Sequence, residues 1–194
     1  MVTLQGSPVP YPDVPFMVMY RRARQAGGCY FLTLALADRR SDLLVRHVDL
    51  LREAIRQARS RRSFRLDAIV VLPEHLHMVM SLPEGDDDFS SRIASMKAAF
   101  VRALRAQGHP VRPNAKREAG LWQPRFWEHL LRDERDFAAH VDYIHINPLK
   151  HGLVTRVADW PHSSFHRYVR EGLLPADWAG GEESRITGAG ERRA

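Results

Sequence analysis

Two histidines, His75 and His77, stand two residues apart in the run His75-Leu76-His77-Met78-Val79-Met80-Ser81-Leu82. As a β-strand, this run puts both imidazoles on one face and Leu76, Met78 and Met80 on the other. Same-face neighbours lie about 7 Å apart, twice the rise per residue, so both rings can converge on one cation. The competing reading is a pair of ordinary polar residues on an exposed sheet face. Further along, the stretch Asp133 to Asn147 has a helical period. Phe137, Val141 and Ile144 share one face, while Asp136, His140, Tyr143 and Asn147 share another, about 100° round. That second stripe gathers a phenol, an imidazole, a carboxylate and an amide. The amide oxygen of Asn147, one turn on, can sit beside the phenol. The alternative is a solvated face with a half-buried tyrosine, in which Asn147 caps the helix before Pro148.

These residues need elements to hold them. Tyr30 to Leu36 reads as a first strand, rich in aromatic and apolar residues. Val48, Leu51, Ile55 and Ala58 recur at helical spacing and define a first helix over about residues 43–59. Arg65 to Leu72 is a second strand, broken by Pro73-Glu74, and His75 to Leu82 a third, antiparallel to it. Phe89, Ile93, Met96, Phe100 and Leu104 mark a second helix over about residues 89–107. Residues 108–120 form a loop. Leu121 to Trp127 supplies a short fourth strand, which Pro124 confines to a sheet edge. The third helix runs from Asp133 to Asn147, and Pro148 stops it. Strand–helix–strand–strand–helix–strand is the order of a ferredoxin-like split βαβ sandwich, an α+β fold with an antiparallel sheet. One sheet face lies under the first two helices, leaving the other for a ligand or the third helix.

The chain has 194 residues, of which 44% are hydrophobic, enough for one folded domain with a real core. The boundaries are a partly ordered, proline-bearing leader at 1–19, the folded domain at 20–178 and a small, polar, disordered tail at 179–194. No stretch approaches the run of about 18 apolar residues that a membrane span requires. The leader lacks the charged start of a secretory signal. The lone Cys29 excludes an internal disulfide and a paired-cysteine zinc site, and packs as a small hydrophobe. The expected setting is the cytoplasm. Lys+Arg 29 against Asp+Glu 23 gives +6, nearly all of it arginine. This balance fits a polyanionic partner or a solvated surface. Arg21, Arg22 and Arg24 before the first strand, and Arg61 and Arg62 before the second, are candidate phosphate contacts. Trp122, Phe126 and Trp127 either stack on bases or fill the core around the fourth strand.

Taken together, the motifs resemble a known family. His75-Leu76-His77 is similar to the His-hydrophobic-His motif of the HUH single-strand endonucleases. The run from His140 through Tyr143, Asn147 and Pro148 to Leu153 resembles the tyrosine helix of the REP-associated tyrosine transposases, relatives of the IS200/IS605 transposases. Val71-Leu72-Pro73-Glu74, Trp122-Gln123-Pro124-Arg125-Phe126-Trp127-Glu128-His129 and Asp159-Trp160-Pro161-His162-Ser163-Ser164-Phe165 agree with the same group. The resemblance covers about residues 20–180. It implies that Tyr143 is the nucleophile, with His140 and Asp136 as the residues that could orient it or take its proton, that His75 and His77 are ligands of Mg2+ or Mn2+, and that Asn147 is a third ligand where the IS200 enzymes carry Gln. It also implies cleavage and rejoining of single-stranded DNA at REP-type hairpins through a 5′-phosphotyrosine bond, by a monomer. Two rival readings are a replication or mobilisation nickase of the same chemistry, and a non-catalytic nucleic-acid-binding module on a ferredoxin-like sheet.

Overall fold

Strand β1, Cys29–Ala35, is apolar except at Thr33, and it occupies the middle of the sheet. The computed structural model describes residues 24–111 and 120–179. The leader, Arg21 and Arg22, most of the loop after residue 111 and the tail from residue 180 lie outside the described residues. After β1 come α1 (Leu43–Arg46), α2 (Val48–Arg61), β2 (Arg65–Val71), β3 (His75–Ser81), α3 (Phe89–Ala106), β4 (Trp127–Leu130), α4 (Glu134–Lys150), a 3-10 turn at Val157–Asp159 and α5 (Phe165–Arg170). The strand order β2-β3-β1-β4, antiparallel throughout, is that of the ferredoxin-like sandwich.

Alternation along the strands sorts the side chains into two layers. Tyr30, Leu32, Leu34, Leu76, Met78 and Met80 pack against α2 and α3 with Leu51, Ile55, Met96 and Phe100. On the opposite face Phe31, Val79, Ala68 and Val70 meet Val141, Tyr143 and Ile144 of α4. A bulge between Leu66 and Ala68 keeps β2 in step with both layers. The sheet therefore has helices on both faces, and His75 and His77 lie beneath α4 rather than on an open face.

Four elements differ from the sequence reading. The first helix is divided at His47, and the Leu44 amide donates to the Pro73 carbonyl at 3.1 Å, which draws α1 toward the turn before His75. The fourth strand lies later than expected. Trp122 makes only an isolated bridge to Leu36, and the ladder resumes after Pro124, which has no amide hydrogen to give. Pro148 does not stop α4, which continues to Lys150. The proline falls in the last turn, where one lost hydrogen bond is tolerable, and the helix closes beyond it. The amides of Gly152 and Leu153 donate to the carbonyls of Leu149 and Pro148 at 3.0 and 2.9 Å, with Gly152 at φ 67°. Asn147 is thus an interior helical residue and not the cap. The segment after α4, in which the sequence reading placed no element, adds the 3-10 turn and α5. Its Ser164 hydroxyl accepts the Ile69 amide at 2.9 Å, so the chain after α4 is tied to the β2 edge.

Candidate active site

Helix α4 packs on β2 and β3, and His140, Tyr143 and Asn147 of its polar stripe are buried. Tyr143 is 1% exposed and Asn147 0%, and the neighbouring apolar face is buried as well, with Val141 at 5% and Ile144 at 0%. The solvated-face alternative for this helix is therefore overturned, because Tyr143 joins Val141 and Ile144 in the buried cluster around Phe31 and Val79. The Tyr143 ring meets that of His77 edge-on, with centroids 5.4 Å apart, and His77 meets His75 at 4.9 Å. Residues 75, 77 and 143, selected on separate elements, are thus brought into one cluster.

Both histidines are oriented by partners on neighbouring elements. Thr33 of β1, directly opposite His77 in the ladder, has its hydroxyl 2.8 Å from His77 Nδ1. His75 Nδ1 lies 2.9 Å from Glu74 Oε1. A carboxylate only accepts, so Nδ1 of His75 donates and the lone pair of that ring is on Nε2. Burial pushes the Glu74 carboxyl up, but the His75 hydrogen bond and Arg39, 3.3 Å away, outweigh it and hold the pKa below its ordinary value. Both rings are therefore held through Nδ1, the arrangement in which Nε2 serves a metal. With the buried amide of Asn147 on the overlying helix, this donor set fits a divalent cation.

Asp136 and His140, on the same stripe as Tyr143, turn toward β4 instead. Asp136 Oδ2 accepts from His129 Nε2 at 2.9 Å, and Asp136 Oδ1 lies 3.0 Å from His140 Nδ1. The Phe31 ring lies next to both groups, 4.8 Å from His140 and 5.8 Å from Tyr143. Two residues at the C-terminal end of α4 complete the mouth of the site. Lys150 Nζ is 3.4 Å from the Tyr143 hydroxyl and 4.5 Å from its ring centre, and the His151 ring is 5.4 Å from that of His75. Sequence reasoning missed Thr33, Glu74 and Lys150 as parts of the site. Thr33 carried a usable signal, a hydroxyl in an otherwise apolar strand on the same face as Phe31.

Comparison with known proteins decides the family. No family model matches the chain. The REP-associated tyrosine transposase of Escherichia coli strain K12 is 49% identical over 164 residues, 84% of this chain and 92% of the relative. The chain belongs to the REP-associated tyrosine transposases. A Haemophilus influenzae protein of the same family name is 45% identical over 174 residues, 89% of this chain and 99% of its own. A solved REP-associated tyrosine transposase bound to a REP hairpin is 48% identical and superposes with a TM-score of 0.80, covering 92% of this chain and 99% of that one. The protein is accordingly a transposase enzyme of the ferredoxin-like α+β type, and the family is consistent with use of a divalent metal.

The remaining candidates of this transposase are scattered. Arg24, Arg61 and Arg62 lie at the end of the sheet where Arg65 and Cys29 pair with Ser81. This end is about 20 Å along β3 from His75, six residues at the strand rise. Arg24 and Arg62 face the acidic turn before α3, at 3.7 Å from Asp87 and 2.5 Å from Asp88. Among the aromatics, Trp122 is buried against Phe100, Phe126 packs on Phe89, and Trp127 meets Phe31 across the α4 face. These three fill the core on either side of β4. Cys29 is half-buried beside the Ser81 hydroxyl, and burial pushes its thiol up. Among the described residues, no helix is long and apolar enough to cross a membrane.

Proposed function

We propose that this chain cleaves and rejoins single-stranded DNA at REP-type hairpins, acting as a monomer in the cytoplasm. Tyr143 is the nucleophile, and its contact with His77 beneath α4 is the observation that carries the reading. The phenol oxygen attacks phosphorus. The P–O bond to the 3′ side breaks and a 5′-phosphotyrosine forms, leaving a 3′-hydroxyl. The phenol gives up its proton, and the departing 3′ oxygen takes one. Rejoining is the reverse, in which a 3′-hydroxyl gives up its proton and attacks the phosphotyrosine, the bond from phosphorus to the phenol oxygen breaks, and Tyr143 recovers its proton. Lys150 donates toward the phenol oxygen, so a positive charge stands where negative charge develops. His75 and His77 through Nε2, with the amide oxygen of Asn147, would hold Mg2+ or Mn2+, which when bound polarises the scissile phosphate. Thr33 and Glu74 keep the two imidazoles in register for that task.

Because the Tyr143 phenol is buried, only a flexible strand can be drawn in beside the exposed Lys150 and His151. A regular duplex cannot bend its phosphates to that point. The decisive assay uses a labelled hairpin with a single-stranded flank and Mg2+. The native protein forms a covalent adduct. Tyr143→Phe forms none, while its hairpin affinity stays within about twofold, since only one oxygen is removed. An adduct with the Phe variant refutes the assignment, and hairpin binding without any adduct in the native protein leaves a binding module.

A further inference from the structure

His129 on β4 and Asp136 and His140 on the first turns of α4 form a second cluster of donors, separate from the His75–His77 pair. Their ligating atoms all lie within 4.8 Å of one another. His129 Nε2 is 2.9 and 3.2 Å from the two Asp136 oxygens, and His140 Nδ1 is 3.0 Å from Oδ1. With zinc-to-donor bonds of about 2.0–2.1 Å, tetrahedral geometry puts neighbouring donors about 3.3 Å apart. The two carboxylate–imidazole gaps need only a few tenths of an ångström to open, and the imidazole nitrogens must draw together. We propose that His129, Asp136 and His140 bind a zinc-type transition-metal ion that fastens β4 to the start of the tyrosine helix.

The chemistry of the set favours such an ion over magnesium. Two imidazoles and one carboxylate are borderline nitrogen-rich donors, whereas Mg2+ prefers oxygen and keeps its water. Burial lowers the His140 pKa and keeps that ring neutral. For Asp136 burial acts upward, but the His129 and Arg132 hydrogen bonds prevail and the carboxyl stays ionised. The carboxylate is oriented from behind, as metal-bound carboxylates are: the Arg132 amide donates to Oδ2 at 3.1 Å. Its own amide is held by the Asp133 cap at 2.8 Å. His140 is wedged against Phe31 and stacks on His129 at 4.8 Å, so neither ring is loose. The His129 and Asp136 side chains retain 26% and 21% exposure, which supplies an entry path and a water for the fourth position. Binding requires His140 Nδ1 to leave the Asp136 carbonyl, 2.8 Å away, and both rings to carry their hydrogen on the opposite nitrogen, so that His129 Nε2 and His140 Nδ1 offer lone pairs. The consequence falls one turn before Tyr143: the ion would fix the helix that carries the nucleophile against the strand that borders Phe31.

Chelator-treated protein is titrated with Co2+ and then Zn2+, with visible absorption, calorimetric stoichiometry and melting temperature as readouts. One equivalent of Co2+ should give a tetrahedral-type visible band that Zn2+ abolishes, with Zn2+ raising the melting temperature by several degrees. The His75→Ala/His77→Ala double variant should retain this behaviour. His129→Ala, on an edge strand and partly exposed, should lose it, with Zn2+ binding weakened at least about tenfold. If the double variant does not fold, the loss of one tight equivalent in His129→Ala, with Mg2+ saturating the other site, decides alone. Equal Zn2+ affinity in His129→Ala, or no binding in the native protein below about 100 µM, overturns the proposal and leaves the three residues as a hydrogen-bonded clasp.

Discussion

Thr33→Val isolates the support of the two proposed metal-binding histidines from their presence. Thr33 is 5% exposed, and its hydroxyl meets His77 Nδ1 at 2.8 Å. Valine keeps the branched shape and puts a methyl where the hydroxyl was. The His77 ring is 0% exposed and packs against the Phe31 and Tyr143 rings, with its centroid 5.4 Å from each, so water does not readily replace the lost partner. A buried polar atom stripped of its partner costs about 1–3 kcal/mol. Part of this cost appears as lost stability. The rest appears as freedom of the imidazole to turn or change tautomer, which weakens metal binding by about 10–100-fold, or about 1.4–2.7 kcal/mol. The assay is adduct formation on a flanked hairpin across a Mn2+ titration, with Mn2+ affinity measured directly by calorimetry. Half-saturation should move up by about 10–100-fold, with the rate at saturating Mn2+ recovering to within about threefold. An unchanged metal requirement would show that the Thr33 hydroxyl does not orient His77. A rate that Mn2+ cannot restore would show that Thr33 acts on the reacting groups and not through the metal ligand.

Acid should loosen the segment after α4. His145 is buried against Tyr168, Phe165 and Trp178, and burial, then Arg167, lower its pKa from 6.5 to about 3. The unfolded chain takes the proton below pH 6.5 and the folded chain does not, so stability falls as pH drops from there toward 3. About 2 kcal/mol should be lost between pH 7 and pH 5 in denaturant melts, an effect that His145→Gln should largely remove; equal native stability at both values refutes it. Gly152→Ala should cost about 1–2 kcal/mol from its φ of 67°, with no steric part, since no atom lies within 4 Å of the added carbon. A urea midpoint unmoved by that change would remove the helix-closing role of Gly152. Arg62→Ala, at the far end of the sheet from His75, should weaken hairpin binding without slowing adduct formation at saturating DNA, and a slowed rate there would place DNA differently. Hairpin affinity of the native protein should fall with salt with a log–log slope of several units if about five phosphates are neutralised.

Local periodicity was enough for much of this protein. Strand alternation placed His75 and His77 on one face and Leu76, Met78 and Met80 in the core, and both placements are in the structure. The 3.6-residue period grouped Tyr143 with Asn147, and both are buried on the sheet side of α4. These are properties of the backbone geometry of single elements, so a sequence carries them directly. Which face of the sheet is covered is not such a property. Only the tertiary structure laid α4 over the histidines and moved the last strand past Pro124. It carried the helix through Pro148 because Gly152 closes the end. It also brought Asp136 and His140 together with His129 of β4. The pairing of Thr33 with His77 spans 44 positions and arises from strand register, which no local pattern encodes. Residue types and spacing set out the donors, and the long-range packing of α4 on the sheet decided which of them meet.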